Sequence, residues 1–161
     1  AVTLEPVWGT IDAYVATIDE AVNRVSAATG RAPILVCHSM GGLAARAWLR
    51  AGGAEAAMRV HHIVTLGTPH HGTWLARFAR APNGRQMRRA SPWLQALSAG
   101  EPRGLATRFT CLYSNCDNIV FPASTATLKG ADNRLVPGLG HVELTANQQV
   151  MDICLDLIRA S

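Results

Sequence analysis

Lysine is almost missing from this chain. Among 161 residues only Lys129 is a lysine, so arginine carries nearly all of the basic side of a formal net charge of +4. Aromatic residues are sparse as well, at 6%. A basic surface with few aromatics and no base-reading motif argues against nucleic acid as a partner, because charge of that kind is mostly a solvated face. Charged residues make up 16% and hydrophobic ones 48%, which excludes a disordered chain and fits one domain with a buried core. No apolar run approaches the roughly 18 residues of a membrane span. The four cysteines, Cys37, Cys111, Cys116 and Cys154, include no Cys-x-x-Cys pair, so a zinc knuckle is not expected. Cys111 and Cys116 can bridge only if the chain folds back sharply between them. No internal repeat and no low-complexity segment interrupts the chain. No signal-peptide pattern is visible and the sequence does not open on methionine, so compartment is left open.

What the chain does contain is an alternation of short apolar runs and amphipathic stretches. AVTLEP reads as a strand ended by Pro6. GTIDAYVATIDEAVNRVSAATG reads as a helix, with Ile11, Tyr14, Val15, Ile18, Val22 and Val25 on one stripe, Thr10 or Asp12 as cap and Gly30 as stop. PILVC comes next, without polar alternation, as in a strand covered on both faces. GGLAARAWLRAGG is a helix ended by Gly52 and Gly53. VHHIVTL, RFTCLYS and NRLVP are further strands, and ELTANQQVMDICLDLIRA is a closing helix. Residues 74–103 break into short helical pieces at Pro82, Gly84, Pro92 and Pro102 and resemble a cap or lid inserted into the domain. The expected fold is a single α/β domain over residues 1–161, with a mostly parallel sheet and helices on both faces. In such sheets chemistry gathers at the carboxyl ends of the strands.

One stretch stands out. In ILVCHSMGGLAARAWL a buried strand ends on Cys-His-Ser and a helix begins at once. A serine on so tight a strand-to-helix turn is exposed at the top of the sheet. Its neighbours must be small, because the two backbones approach each other there. Gly41 and Gly42 meet that need after Ser39, and Cys37 stands two residues before it. The plain alternative is a helix N-cap, which accounts for Ser39 but not for the glycines. The helix after Ser39 also directs its positive end at the turn, which favours a developing anion.

A serine nucleophile needs a base, and the base needs an orienting acid. His141, in the glycine-rich PGLGHVEL loop, is the candidate base. Asp117, in YSNCDNIVFP just past a strand, is the candidate acid; Asp132, in GADN, is the alternative and reads more simply as a turn residue. The order Ser, Asp, His is the one found on α/β-hydrolase sheets. His61 and His62 are adjacent on a strand and point to opposite faces, which disfavours a shared metal ion.

CHSMGGLAARAWL, VTLGTPHHGT, YSNCDNIVFP and GADNRLVPGLGHVEL, taken together, resemble the bacterial triacylglycerol lipase and esterase family of α/β-hydrolases, over nearly the whole chain. The resemblance implies Ser39 as nucleophile, Asp117 as acid, His141 as base and the backbone N–H of Met40 as one oxyanion donor. It places the GTPHHG loop beside the site. His38, His70 and His71 are candidate substrate contacts, the alternatives being inward packing for His38 and a loop-shaping role for His70 and His71. Cys37 departs from the commoner glycine and is small enough to be tolerated. The family's other oxyanion donor comes from a His-Gly loop after an earlier strand. LEPVWGTID matches the family's next strand and helix, so the N-terminal strands of the family fold are expected to be missing here. The exposed sheet edge would then be open to self-association. Segment 74–103 carries Trp74, Leu75, Phe78, Met87, Trp93, Leu94 and Leu97 among many arginines; an apolar face with a basic one suits an acyl chain or a lipid surface, and the plain alternative is an ordinary cover over the sheet. The implied activity is ester or lipid hydrolysis without metal or organic cofactor. The alternatives are an acyltransferase using the same triad, or a non-catalytic domain of this fold that binds a lipid or a protein.

Overall fold

The computed structural model describes residues 1–160. Among them four strands, β1 (Ile34–His38), β2 (His62–Leu66), β3 (Phe109–Tyr113) and β4 (Asp132–Leu135), form one sheet in the order β1-β2-β3-β4, and every adjacent pair is parallel. Parallel neighbours cannot be joined by hairpins, so each crossover must pass over a face of the sheet, and these do so mostly through helices. The helices are α1 (Val15–Thr29), α2 (Met40–Met58), α3 (Pro82–Gln86), α4 (Pro92–Ala99) and α5 (Gln148–Arg159).

Side-chain alternation along the strands separates two cores. Ile63, Phe109 and Cys111 face α1, α2 and α4, where Tyr14, Leu43, Trp48, Leu49 and Leu97 are buried with them. Val64, Leu66 and Leu112 face the other way, onto Val136, Leu144 and the Val150 and Cys154 stripe of α5. Both faces of β2 and β3 are therefore covered. PILVC, expected to be covered on both faces, is instead the outer strand β1, and its Val36 is exposed because no element of the described residues lies over it. Among the described residues no helix is long and apolar enough to cross a membrane, and the four cysteines are unpaired.

Several expected elements shift. AVTLEP is not a strand: residues 1–10 run through bends and turns, and Leu4 packs against the core beside α1. Pro6 removes a backbone donor there, and no neighbouring strand is present to pair with the segment. The outer strand on that side is β1. The first helix opens as a 3-10 turn, Ile11–Tyr14, with no side-chain cap from Thr10. Asp12 instead accepts hydrogen bonds from Arg50, Gln86 and Trp93 and joins that turn to α2, α3 and α4. Gly52 does not stop α2; the chain breaks at Gly53 (φ 58°, ψ −139°) and one more helical turn comes after it. The closing helix is split, with Asn147 capping α5 through the amides of Gln149 and Val150.

Candidate active site

Ser39 sits between β1 and α2 with φ 52° and ψ −126°. A positive φ at a residue with a side chain costs on the order of 1–3 kcal/mol and persists only where surrounding contacts enforce it. Those contacts are visible. The Ser39 amide donates to Leu66 O at 2.9 Å, at the end of β2, and its carbonyl accepts from Thr68 Oγ1 at 2.8 Å. A Cβ on Gly42 would run into the Thr68 side chain, so that glycine is required for α2 to lie against the loop after β2. Gly41 is under less constraint: a Cβ there would stand 3.8 Å from the Cβ of Cys37, an ordinary contact. That spacing also shows why cysteine is accepted where glycine is commoner. Met40 is the first residue of α2, and the first amides of a helix have no partner within it.

Asp117 and His141 meet directly. His141 Nδ1 lies 2.8 Å from Asp117 Oδ2, with both side chains almost wholly buried, at 6% and 3% exposed. The second carboxylate oxygen accepts the amides of Ile119 and Val120, each at 2.8 Å. Burial pushes the Asp117 carboxyl upward, but the His141 hydrogen bond and the two amides outweigh it, and its pKa lies below the ordinary carboxylate value. The pair rests on the end of β2 at Gly67. That residue has φ +56°, and a Cβ there would come 3.0 Å from Asp117 Oδ2 and 3.2 Å from His141 Nδ1. Only glycine leaves room for the Asp117 and His141 side chains at this point.

The loop bearing His141 is suspended from the loop bearing Asp117. Ser114 Oγ accepts Leu139 N, Asn115 Oδ1 accepts Gly138 N, Asn118 Oδ1 accepts His141 N, and Glu143 Oε2 closes the turn on Gly140 N. His38, next to the elbow serine, reaches across: its Nε2 lies 3.1 Å from the His141 carbonyl, and the two ring centroids are 4.6 Å apart. A carbonyl only accepts, so His38 Nε2 carries the proton in this contact. Burial lowers the His38 pKa, against the raising effect of that carbonyl, which favours the neutral ring. His38 thus braces the His141 loop.

The remaining candidates lie elsewhere. Asp132 opens β4, bonded to Arg134 at 2.8 Å and paired in register with Thr110, at the end of the sheet away from His141. It is a strand residue rather than the turn residue expected. His62 contacts Thr110 Oγ1 at that same far end. His70 is fully buried, with Nε2 at 3.1 Å from Thr65 Oγ1 and its carbonyl accepting from Arg46, so its ring shapes the GTPHHG loop from beneath. Burial holds it well below the usual histidine pKa. His71 lines a cleft of about 740 Å³ with Trp74, Arg89 and Gln95.

Ser39 and Met40 open instead onto two other clefts. One, of about 730 Å³, runs along β1 past Val2, Leu4 and Val36. The other, of about 510 Å³, is lined by Val7, Trp8, Met40, Leu75, Met87 and Ile119. Asn83 ties the N-terminal segment to this second cleft by donating to Val7 O at 2.7 Å and lying 3.4 Å from Met40 Sδ. The Gly9 amide turns back onto Pro6 O and is not free to bind an oxyanion. Sequence reasoning missed Ser114, Asn115, Asn118, Glu143 and Thr68. Asn and Ser flanking the acid were the only local signal.

A family described as the PGAP1-like alpha/beta domain matches residues 11–81, the part that holds the elbow and the loop after β2. No curated protein matches the chain by sequence. Among solved structures, mature Bacillus licheniformis lipase BlEst2 superposes with a TM-score of 0.75 at 16% identity, over 92% of this chain and 74% of that one. Aspergillus fumigatus lipase B gives 0.62 at 19% identity, over 88% of this chain and 36% of its own length. Legionella pneumophila phospholipase PlaB gives 0.51 at 18% identity, over 80% of this chain and 26% of that one. This chain thus spans about three quarters of the first and about a third or less of the other two. With the parallel sheet, the strained serine turn and the strand-end loops that carry Asp117 and His141, these likenesses show that the chain has the α/β-hydrolase fold that these lipases share.

Proposed function

We propose that the chain is a serine carboxylic-ester hydrolase of the lipase and esterase type. The observation that carries this reading is the buried Asp117–His141 pair, 2.8 Å apart and seated on Gly67, at the same end of the sheet as the Ser39 turn. A structural ion pair has no need of a glycine platform or of a neighbouring serine held at positive φ. A buried carboxylate with a lowered pKa, hydrogen-bonded to an imidazole beside a strained turn, is the mark of an acyl-transfer site.

In this mechanism His141 Nε2 takes the proton of Ser39 Oγ as that oxygen attacks the ester carbonyl. Asp117 accepts the Nδ1 proton throughout, fixes the tautomer and stabilises the imidazolium. The Met40 amide, at the positive end of α2, donates to the oxyanion. Collapse of the tetrahedral intermediate breaks the bond to the alkoxy oxygen, which leaves as the alcohol with the His141 proton. Water then attacks the acyl-serine by the same route, releasing the acid and restoring Ser39. The apolar cleft of Trp8, Leu75, Met87 and Ile119 beside Met40 suits the acyl chain. The resemblance of the motifs to lipases and the lipase names of the fold neighbours point to the same substrate class.

The test is hydrolysis of p-nitrophenyl esters of short to medium acyl chains. Ser39→Ala should lower the rate to that of buffer while far-ultraviolet circular dichroism stays unchanged. Activity near that of the parent in Ser39→Ala would remove Ser39 from the role.

A further inference from the structure

Exposed aromatic residues are concentrated in one place. The chain has four tryptophans and three phenylalanines. The exposed ones are Trp8 (71%), Phe78 (62%), Phe121 (59%) and Trp74 (46%), and direct contacts or a shared cleft link them. Trp74 and Phe78 pack edge to face at 5.7 Å. The Trp74 amide donates to Phe121 O at 2.8 Å. Trp8 lines the Met40 cleft with Leu75 and Ile119, both partly exposed. Soluble proteins scatter single apolar residues over their surfaces; a contiguous group of large aromatics marks a contact surface.

The charge of this face is of one sign. Residues 56–100 contain no aspartate or glutamate, and Arg77, Arg80, Arg85, Arg88 and Arg89 lie among the aromatics in sequence. The Arg77 guanidinium lies over both the Trp74 ring, at 4.3 Å, and the Phe78 ring, at 4.6 Å. Arg80 lines the Trp8 cleft and Arg89 the Trp74 cleft. Among the described residues none of these three arginines is in an ion pair. Glu5, exposed near Trp8, is the nearby acid in sequence. A protein partner would be expected to present carboxylates to such a face. Exposed tryptophan and phenylalanine rings interleaved with unpaired arginines suit a headgroup layer better: rings enter the interface while guanidinium groups stay at the level of phosphates.

We propose that this face, around Trp74, Phe78, Phe121 and Trp8, docks the protein on an anionic lipid surface. Docking there would set the mouth of the Met40 cleft against the membrane. The inference goes beyond the ester-hydrolase reading, since binding needs no turnover.

The experiment uses the full chain carrying Ser39→Ala, so that lipid hydrolysis plays no part. Co-sedimentation is measured with phosphatidylcholine vesicles, with and without phosphatidylglycerol. Binding is expected to the anionic vesicles, with a blue shift of tryptophan fluorescence, and to weaken as salt is raised. Arg77→Gln and Arg89→Gln should each lower the partition coefficient about fivefold, the loss expected for one basic residue near an anionic surface. Phe78→Ser should weaken binding at every salt concentration. An unchanged thermal midpoint for each variant establishes that folding is intact. Equal binding to both kinds of vesicle, or unweakened binding in the arginine variants, would overturn the proposal. Binding to duplex DNA without binding to vesicles would overturn it as well.

Discussion

The loops at the carboxyl ends of β1, β2 and β3 differ from the segment 74–103 in almost every physical respect. At the strand ends, Ser39, Gly67, Asp117 and His141 are held by a closed set of hydrogen bonds, and the Asp117 and His141 side chains are nearly dry. In the segment, short helices expose Trp74, Leu75, Phe78 and several arginines. The contrast teaches where the structure tolerates change. On the ester-hydrolase reading, a small displacement at the strand ends would spoil the chemistry. In the segment, a substitution would alter the surface presented and leave Ser39, Asp117 and His141 where they are.

The sharpest way to break that comparison is at the acid. Asp117→Asn leaves shape intact but favours the wrong imidazole tautomer, and the ester-hydrolysis rate should fall on the order of 10,000-fold. Asp132→Asn, at the far end of the sheet, should change it by less than about twofold, within the range of surface substitutions away from a site. The reverse pair of results would move the acid to Asp132. The same carboxylate sets a pH dependence. Its folded pKa is lowered, so its stabilisation is fully present above the unfolded value of about 3.9 and is lost as pH falls through the lower folded value. Asp117→Asn should therefore flatten the acid limb of stability against pH below about 4, which denaturant titrations across that range would read.

Gly67→Ala comes next. The new methyl would stand about 3 Å from both Asp117 Oδ2 and His141 Nδ1 on a backbone at positive φ. Activity should drop on the order of 100-fold, the effect of misplacing reacting groups by roughly an ångström, with a loss of more than about 1 kcal/mol in stability. A fully active Gly67→Ala enzyme would mean that the acid–base pair is not seated there during turnover.

Among the residues that touch the Asp117–His141 unit, the smallest effect is expected at His38. Removing its hydrogen bond to the His141 carbonyl, as in His38→Phe, should lower kcat about threefold to tenfold, the worth of one such bond, with KM unchanged. His38→Asn, which retains a donor, should recover part of that loss. A rise in KM with kcat untouched would instead place His38 against substrate.

Much of the site is legible in the sequence because its signals are local. The Ser39 turn announces itself by a buried strand, a serine and two glycines in succession, and the loops of Asp117 and His141 come after strands in the expected order. The parts that escape sequence reading are held by contacts across the chain. The hydrogen bond that His38 Nε2 donates to the His141 carbonyl joins residues 103 positions apart, and Asn118 is 23 positions from the amide that it accepts. The first ten residues mislead for a similar reason. Their apolar pattern suits a strand, but a strand needs a paired neighbour, and pairing is a property of the folded sheet. Asp12 shows the reverse case: a residue that suits a helix cap is recruited by Arg50, Gln86 and Trp93. The need for a small residue at Gly42 can be read locally, yet the neighbour that demands it, Thr68, lies in the loop after β2.

The central claim is that Ser39 is an activated nucleophile, and covalent capture tests it most directly. The folded protein would be treated with a fluorophosphonate, digested, and mapped by mass spectrometry. The account predicts one phosphonyl adduct, on Ser39 Oγ, formed far more slowly in Asp117→Asn and absent after prior denaturation. An adduct on another residue, or labelling of Ser39 as slow as that of the unfolded chain, would contradict it.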